Sequence, residues 1–208
     1  MSYYSILGLE KEPFSTSPDP YFFYHAASHQ SALKRLEISL RLRRGLNLIM
    51  GDVGIGKTTL SRALYQELSN DKEFHFHLIL DPTYESEFQF LQDLAKRFQI
   101  KEMLKSSLDY KEAIENHLLI NERQDKKIIV LLIDEGQKLT RNNLEILRTL
   151  LNYETNEYKL LQIVILSQLE FLPRIKKIKN FFDRINLKYI LNPLDKIETH
   201  KLVEFRLK

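Results

Sequence analysis

A doubly wound α/β fold, a parallel sheet with helices on both faces, is what the amino-acid sequence predicts, on three observations. Five short apolar runs alternate with segments of helical periodicity, the pattern of repeated βα units. One of them, Ile128 to Ile133, is six consecutive apolar residues, mostly β-branched, as a strand buried on both faces requires. Three of the six glycines, Gly51, Gly54 and Gly56, fall within a six-residue stretch between the first apolar run and a helical segment.

Taken in order, residues 1–27 set Pro13, Pro18 and Pro20 among Tyr3, Tyr4, Phe14, Tyr21, Phe22, Phe23 and Tyr24, which predicts an extended arm packed on a core. A helix is expected from near Ser28, with Leu33, Leu36 and Leu40 on one face, stopping at Gly45. Arg41, Arg43 and Arg44 then read as cations complementing its C-terminus. Leu46 to Met50 is an apolar strand, and Lys57 to Leu68 places Leu60, Ala63, Leu64 and Leu68 at helical spacing. Phe74 to Leu80 alternates as the second strand, with His75 and His77 read as surface residues opposite Phe76. No Cys or third His lies at metal-ligand spacing from them.

Ser86 followed by Gln89 predicts a capping box, opening a helix whose stripe is Phe90, Leu91, Leu94 and Phe98. Another helix is expected over about Leu108 to Asn121. After the strand at Ile128 to Ile133, Thr140 caps a helix carrying Leu144, Leu147, Leu150 and Leu151. Leu161 to Leu166 is the next strand, a basic helix follows, and Leu187 to Leu191 is the last strand. Beyond it, Asp195 and Glu198 form a cap pattern before an amphipathic run that stops without a C-cap.

Composition sets the limits on function. The 208 residues are 43% apolar and 28% charged, with no low-complexity tract or internal repeat, as for one globular domain. Thirty-one Lys and Arg against 28 Asp and Glu leave a net charge of +3, too slight a bias to mark a dedicated nucleic-acid or membrane-surface protein. The absence of Cys excludes disulfides, thiolate chemistry and Cys-based zinc sites. No apolar run approaches the roughly 18 residues of a membrane helix, and Met1 to Glu10 lacks the basic start and cleavage site of a signal peptide.

The chemistry lies at the strand ends. Gly51-Asp52-Val53-Gly54-Ile55-Gly56-Lys57-Thr58 satisfies the G-x-x-x-x-G-K-[ST] phosphate loop and sits between an expected strand and an expected helix. In that setting glycines let backbone N–H groups curl round a phosphate, and the helix N-terminus adds partial positive charge. Lys57 then reaches the β- and γ-oxygens and Thr58 ligates Mg²⁺. The strand at Ile128 to Ile133 ends in Asp134-Glu135, where a doubly wound sheet places ligand chemistry. Asp134 is the expected Mg²⁺ partner and Glu135 the base that activates water; a second acidic residue suits a hydrolase better than transfer to a small acceptor. The next strand ends in Ser167-Gln168, and Gln168 has the reach to touch a γ-phosphate or the attacking water.

Strand, phosphate loop, Asp-Glu strand end and polar strand end together resemble the AAA+ ATPases, in which they would be Walker A, Walker B and sensor 1. Gly8-Leu9, Pro13-Phe14, Pro18-Asp19-Pro20, Phe23-Tyr24 and His29 in the first part, with Gly51 to Thr59, narrow the match. With Ile133-Asp134-Glu135-Gly136-Gln137 and Leu161-Gln162-Ile163-Val164-Ile165 plus Gln168, they resemble the ExeA/GspA family of bacterial secretion ATPases over nearly the whole chain.

The resemblance implies ATP and Mg²⁺ as ligands, Gln168 as sensor 1, and an arm with Phe14, Phe23 and Tyr24 near the adenine. Arg184, expected late in the basic helix, matches an arginine finger supplied to a neighbouring subunit of a homo-oligomer. Gly136 and Ser167 stand where the family pattern has Ala and Gly. Asp81 stands where it has an Asn able to restrain the catalytic Glu; two carboxylates pair poorly, so that control is not expected here.

The implied organisation is an arm and helix over residues 1–45, an ATPase core over 46–191, and the first helix of a lid over 192–208, the sequence being a piece of a longer protein. The implied function is ATP hydrolysis coupled to assembly of a secretin or pilus machine. An inner-membrane partner is implied, with a cytoplasmic location at the inner-membrane face and membrane attachment through parts outside the chain. A DNA-associated regulator of transposition or helicase loading is the alternative, supported by Arg174, Lys176, Lys177 and Lys179 beside Phe181 and Phe182. A nucleotide-binding scaffold with little hydrolysis is a third reading.

Overall fold

The computed structural model describes residues 3–6, 8, 12–14 and 24–207. Five parallel strands, β1 (Leu46–Met50), β2 (Phe74–Ile79), β3 (Ile128–Ile133), β4 (Leu161–Ser167) and β5 (Ile185–Ile190), form one sheet in the order β2-β3-β4-β1-β5. The helices described are α1 (Tyr3–Ile6), α2 (Ala27–Arg41), α3 (Lys57–Leu68), α4 (Glu87–Arg97), α5 (Ser107–Gln124), α6 (Arg141–Leu150), α7 (Phe171–Lys176), α8 (Lys179–Phe182) and α9 (Lys196–Arg206).

Strand periodicity divides the core in two. Ile129, Leu131 and Ile133 of β3 join the apolar layer under α4, α5 and α6, while Val130 and Leu132 join the layer under α2 and α3. A central strand that must feed both layers has no room for a polar residue, which is why β3 reads as an unbroken apolar run. The parallel registers pair Met50 with Ser167 and Ile133 with Ile165. The carboxyl ends of β1, β3 and β4 therefore finish side by side, and whatever follows them must converge.

Helix starts show which local signals hold. Ser86 accepts the Gln89 N–H, but the Gln89 side chain takes the N–H of Glu85 at 2.7 Å, so the expected box does not close on its cap. Asp195 and Glu198 do close a box, as does Ser106 with Asp109. Arg41 alone ends α2; Arg43 turns away with φ of 49° to pair with Glu122 at 2.7 Å and cover the Tyr158 ring. The basic segment is two short helices rather than one, and β5 begins two residues before Leu187 because Ile185 is buried opposite Leu46.

The expectation of surface histidines on β2 is overturned for His77, which is 6% exposed, stacked on His75 and set edge-on to Phe98. The end of α4 and His117 of α5 cover that face, a long-range effect that alternation along one strand does not reveal. Burial, aided by the charges of His75 and His117, pushes His77 down to about 4, and burial also holds His75 and His117 below the ordinary histidine value. The unfolded chain takes up these protons near pH 6.5, before the folded chain does. Stability is therefore level above pH 6.5 and falls as pH drops towards about 4, by up to about 3 kcal/mol from His77. His77→Phe is expected to flatten that acid slope in urea unfolding between pH 7 and pH 4.5; an unchanged slope would contradict the account.

Candidate functional site

The loop after β1 folds as a cradle because its glycines permit it. Gly54 and Gly56 have φ of 77° and 94°, left-handed conformations in which a side chain would be strained. A Cβ on Gly51 would lie 2.8 Å from Ile55 Cγ2, so the loop closes only over glycine. The Gly51 N–H donates to Ser167 O at 3.2 Å, fastening the loop to the end of β4. Lys57 opens α3, and its buried ammonium donates to the carbonyls of Gly51 (3.0 Å) and Asp52 (2.8 Å). Burial lowers the Lys57 pKa, an effect opposed by the charges of Glu135, Asp134 and Asp52.

Thr58 Oγ1 donates to Asp134 Oδ2 at 2.7 Å, so the two residues expected to share a cation meet across 76 positions of sequence. Asp134 is buried, and its Oδ1 accepts the Glu135 N–H at 2.8 Å. Glu135 has φ of 51°, leading into a single 3-10 turn, Gly136–Lys138. That turn presses on β4: a Cβ at Gly136 would lie 2.3 Å from Ile165 Cγ2 and 3.1 Å from Leu166 O. Glycine at 136 is a packing requirement of this chain, and Ser167, whose Cβ would be 3.4 Å away, occupies part of the space left free.

A cavity of about 220 Å³ is lined by Val53, Gly54, Gly56, Lys57, Thr58, Thr59, Glu135 and Gln168. The loop, the candidate base and the candidate sensor thus share one space. A second cavity, about 330 Å³, lies on the other side of the loop; besides Asp52, Ile55 and Thr59 it is lined by Tyr24, His29, Pro193, Leu194, Leu202 and Arg206. His29 Nε2 bonds to Ile55 O at 2.9 Å, and α9 contributes Leu202 and Arg206, residues that the sequence did not single out. Of the arm aromatics expected near the adenine, Tyr24 lines this cavity, Phe14 is half-exposed, and Phe23 lies outside the described residues.

Two expected placements change. Arg184 is not in the helix but in the exposed turn between α8 and β5. That turn adjoins the amino end of β1, where Ile185 pairs with Leu46, and the Arg184 charge acts on Glu154 there. A strand length, roughly 15 Å, separates it from its own phosphate loop. Arg174 of the basic segment, while exposed, donates to Gln137 O at 2.6 Å. Asp81 pairs with Lys138 at 2.7 Å, and Glu135 is held instead by Gln137.

The donor set fits a magnesium nucleotide. Thr58 and Asp134 supply hard oxygens, and among the described residues no group of three or more His, Asp or Glu could hold a metal ion by itself. Mg²⁺ is commonly held in this way, by one or two protein oxygens plus substrate phosphates. Among the described residues, no helix is long and apolar enough to cross a membrane.

The phosphate loop on a β2-β3-β4-β1-β5 parallel sheet, with an acidic strand end beside it, defines a P-loop NTPase fold, and the chain belongs to the AAA domain family, whose model matches residues 40–175. Its sequence is similar to General secretion pathway protein A of Aeromonas hydrophila, to which it is 36% identical over 208 residues. The match covers 99% of this chain, which spans 37% of the length of that relative. Solved structures share the fold. Cdc6p from Pyrobaculum aerophilum aligns with a TM-score of 0.66 at 18% identity, over 91% of this chain and 53% of that one. The Aeropyrum pernix ORC1 protein, solved in complex with DNA, aligns with a TM-score of 0.64 at 14% identity, over 94% and 54%.

Proposed function

We propose that the chain binds and hydrolyses ATP with Mg²⁺, and that it couples hydrolysis to assembly of a secretin or pilus machine at the cell envelope. The observation that carries the hydrolase reading is the shared 220 Å³ cavity, with Thr58 bonded to buried Asp134 at its side. Bound Mg²⁺ would neutralise charge on the β- and γ-phosphate oxygens. The backbone of Gly51 to Thr59 binds the phosphates, and Lys57 exchanges its loop carbonyls for phosphate oxygens. Asp134 and Thr58 hold the cation, Glu135 takes the proton of the attacking water, and Gln168 orients that water or the γ-phosphate. Tyr24 and His29 flank the nucleotide base. On this reading residues 1–45 form an arm and helix, 46–191 the ATPase core, and 192–208 begin a helical lid.

The secretion role rests on the relative's name and 36% identity. It implies an inner-membrane partner and work at the cytoplasmic face of that membrane. The role proposed for Arg184 is a finger in trans within a homo-oligomer, since its own phosphate loop is out of reach. Mixing Arg184→Ala subunits with Glu135→Gln subunits is therefore expected to restore ATP turnover that neither has alone, because one mixed interface pairs an intact base with an intact finger. Co-assembly without restored turnover would remove Arg184 from the site.

A further inference from the structure

We infer that Gln137 positions Glu135 and couples it to the end of β4, in a chain whose Asp81 stands where the resembled family has an Asn that restrains the Glu. The inference rests on the hydrolase reading above. Asp81 is unsuited: its carboxylate is engaged by Lys138 at 2.7 Å and by the Thr83 hydroxyl at 2.6 Å, and a second carboxylate would repel Glu135.

Gln137 bridges the two groups directly. Its Nε2 donates to Glu135 Oε2 at 2.5 Å, and its Oε1 accepts the Gln168 backbone N–H at 3.2 Å. A side-chain amide has one donating and one accepting end, which is what a link between a carboxylate and a backbone N–H requires. The reversed amide would face oxygen to carboxylate and N–H to N–H, so only one orientation satisfies both partners.

The backbone under Gln137 is fixed as well. Arg174 of α7 donates to Gln137 O at 2.6 Å, and the Lys138 N–H closes the turn on Glu135 O at 2.9 Å. Gly136 lets this turn lie against Ile165 and Leu166 of β4. A shift at Gln168, where β4 ends beside the cavity, is thereby passed to the Glu135 carboxylate through one side chain. Gln137 does not line that cavity itself, so it is a positioning residue rather than a catalytic one.

The test compares Gln137→Met, close in volume but lacking both bonds, with Gln137→Glu, which keeps the shape and removes the donor. Both are expected to keep ATP affinity within about two-fold of the unaltered chain while kcat falls roughly 10- to 100-fold, as for a misplaced catalytic group. In a Glu135→Gln background the Met substitution should change the residual rate by less than about two-fold, since a positioning bond has nothing left to position. Unchanged kcat in both single variants, a matching loss of ATP affinity, or an equal further loss in the Glu135→Gln background would overturn the inference. Failure of the hydrolase reading looks different: an unaltered chain that binds ATP but shows no turnover sensitive to Glu135→Gln, in which case the inference falls with it.

Discussion

Glu135→Gln is expected to bind ATP as the unaltered chain does and to hydrolyse it about 10²- to 10⁴-fold more slowly, the range lost with a general base. The amide keeps the size of the carboxylate and leaves the contacts of Asp134 and Thr58 unbroken, since Asp134 bonds to the backbone of residue 135 and not to its side chain. Nucleotide binding and turnover thus separate in this one variant. Single-turnover hydrolysis beside equilibrium binding of a labelled ATP analogue makes the comparison. Undiminished turnover would remove Glu135 as the base and return the chain to a nucleotide-binding scaffold.

Lys57→Ala should produce the opposite split, with binding lost first. A charged donor to a phosphate contributes about 1.5–3 kcal/mol, so ATP affinity is expected to fall roughly 10- to 150-fold. Stability should hold or rise. The buried ammonium is already at a cost in the folded chain, as its lowered pKa records, and alanine at the start of α3 removes that cost at a good helix-forming residue. Calorimetric titration with ATP and a thermal melt of the same sample check both halves. Retained affinity would argue that the loop backbone, and not Lys57, carries the phosphate interaction.

Most of the scaffold was legible because its signals are local. The strand at Ile128 to Ile133 and the helix at Lys57 to Leu68 appear at the residues that periodicity predicts, since one must pack on both faces and the other on one. The phosphate loop was legible for a related reason: its glycines and Lys57 act within a few residues of one another. The errors arise where distant segments decide. His77 looks like the outer face of an alternating strand until α4 and α5 are placed over it. Arg184 looks helical until Ile185 pairs with Leu46 and draws the chain into β5. Leu202 and Arg206 carry no motif and reach the cavity beside the loop only because α9 folds back beside α2, where Glu198 meets the Ala27 N–H.

By itself, then, the sequence determined the sheet class, the phosphate loop, the acidic strand end and the likeness to General secretion pathway protein A, all features written in contiguous residues. Tertiary structure alone decided how the acidic end is governed. Asp81 and Gln137 are 56 positions apart, and both are polar residues near the end of a strand. Only the close approach of the Gly136 turn to β4 sends Gln137 to Glu135 and leaves Asp81 with Lys138. That choice depends on the close packing of the Gly136 turn against a strand distant in sequence, which no pattern of residue types records.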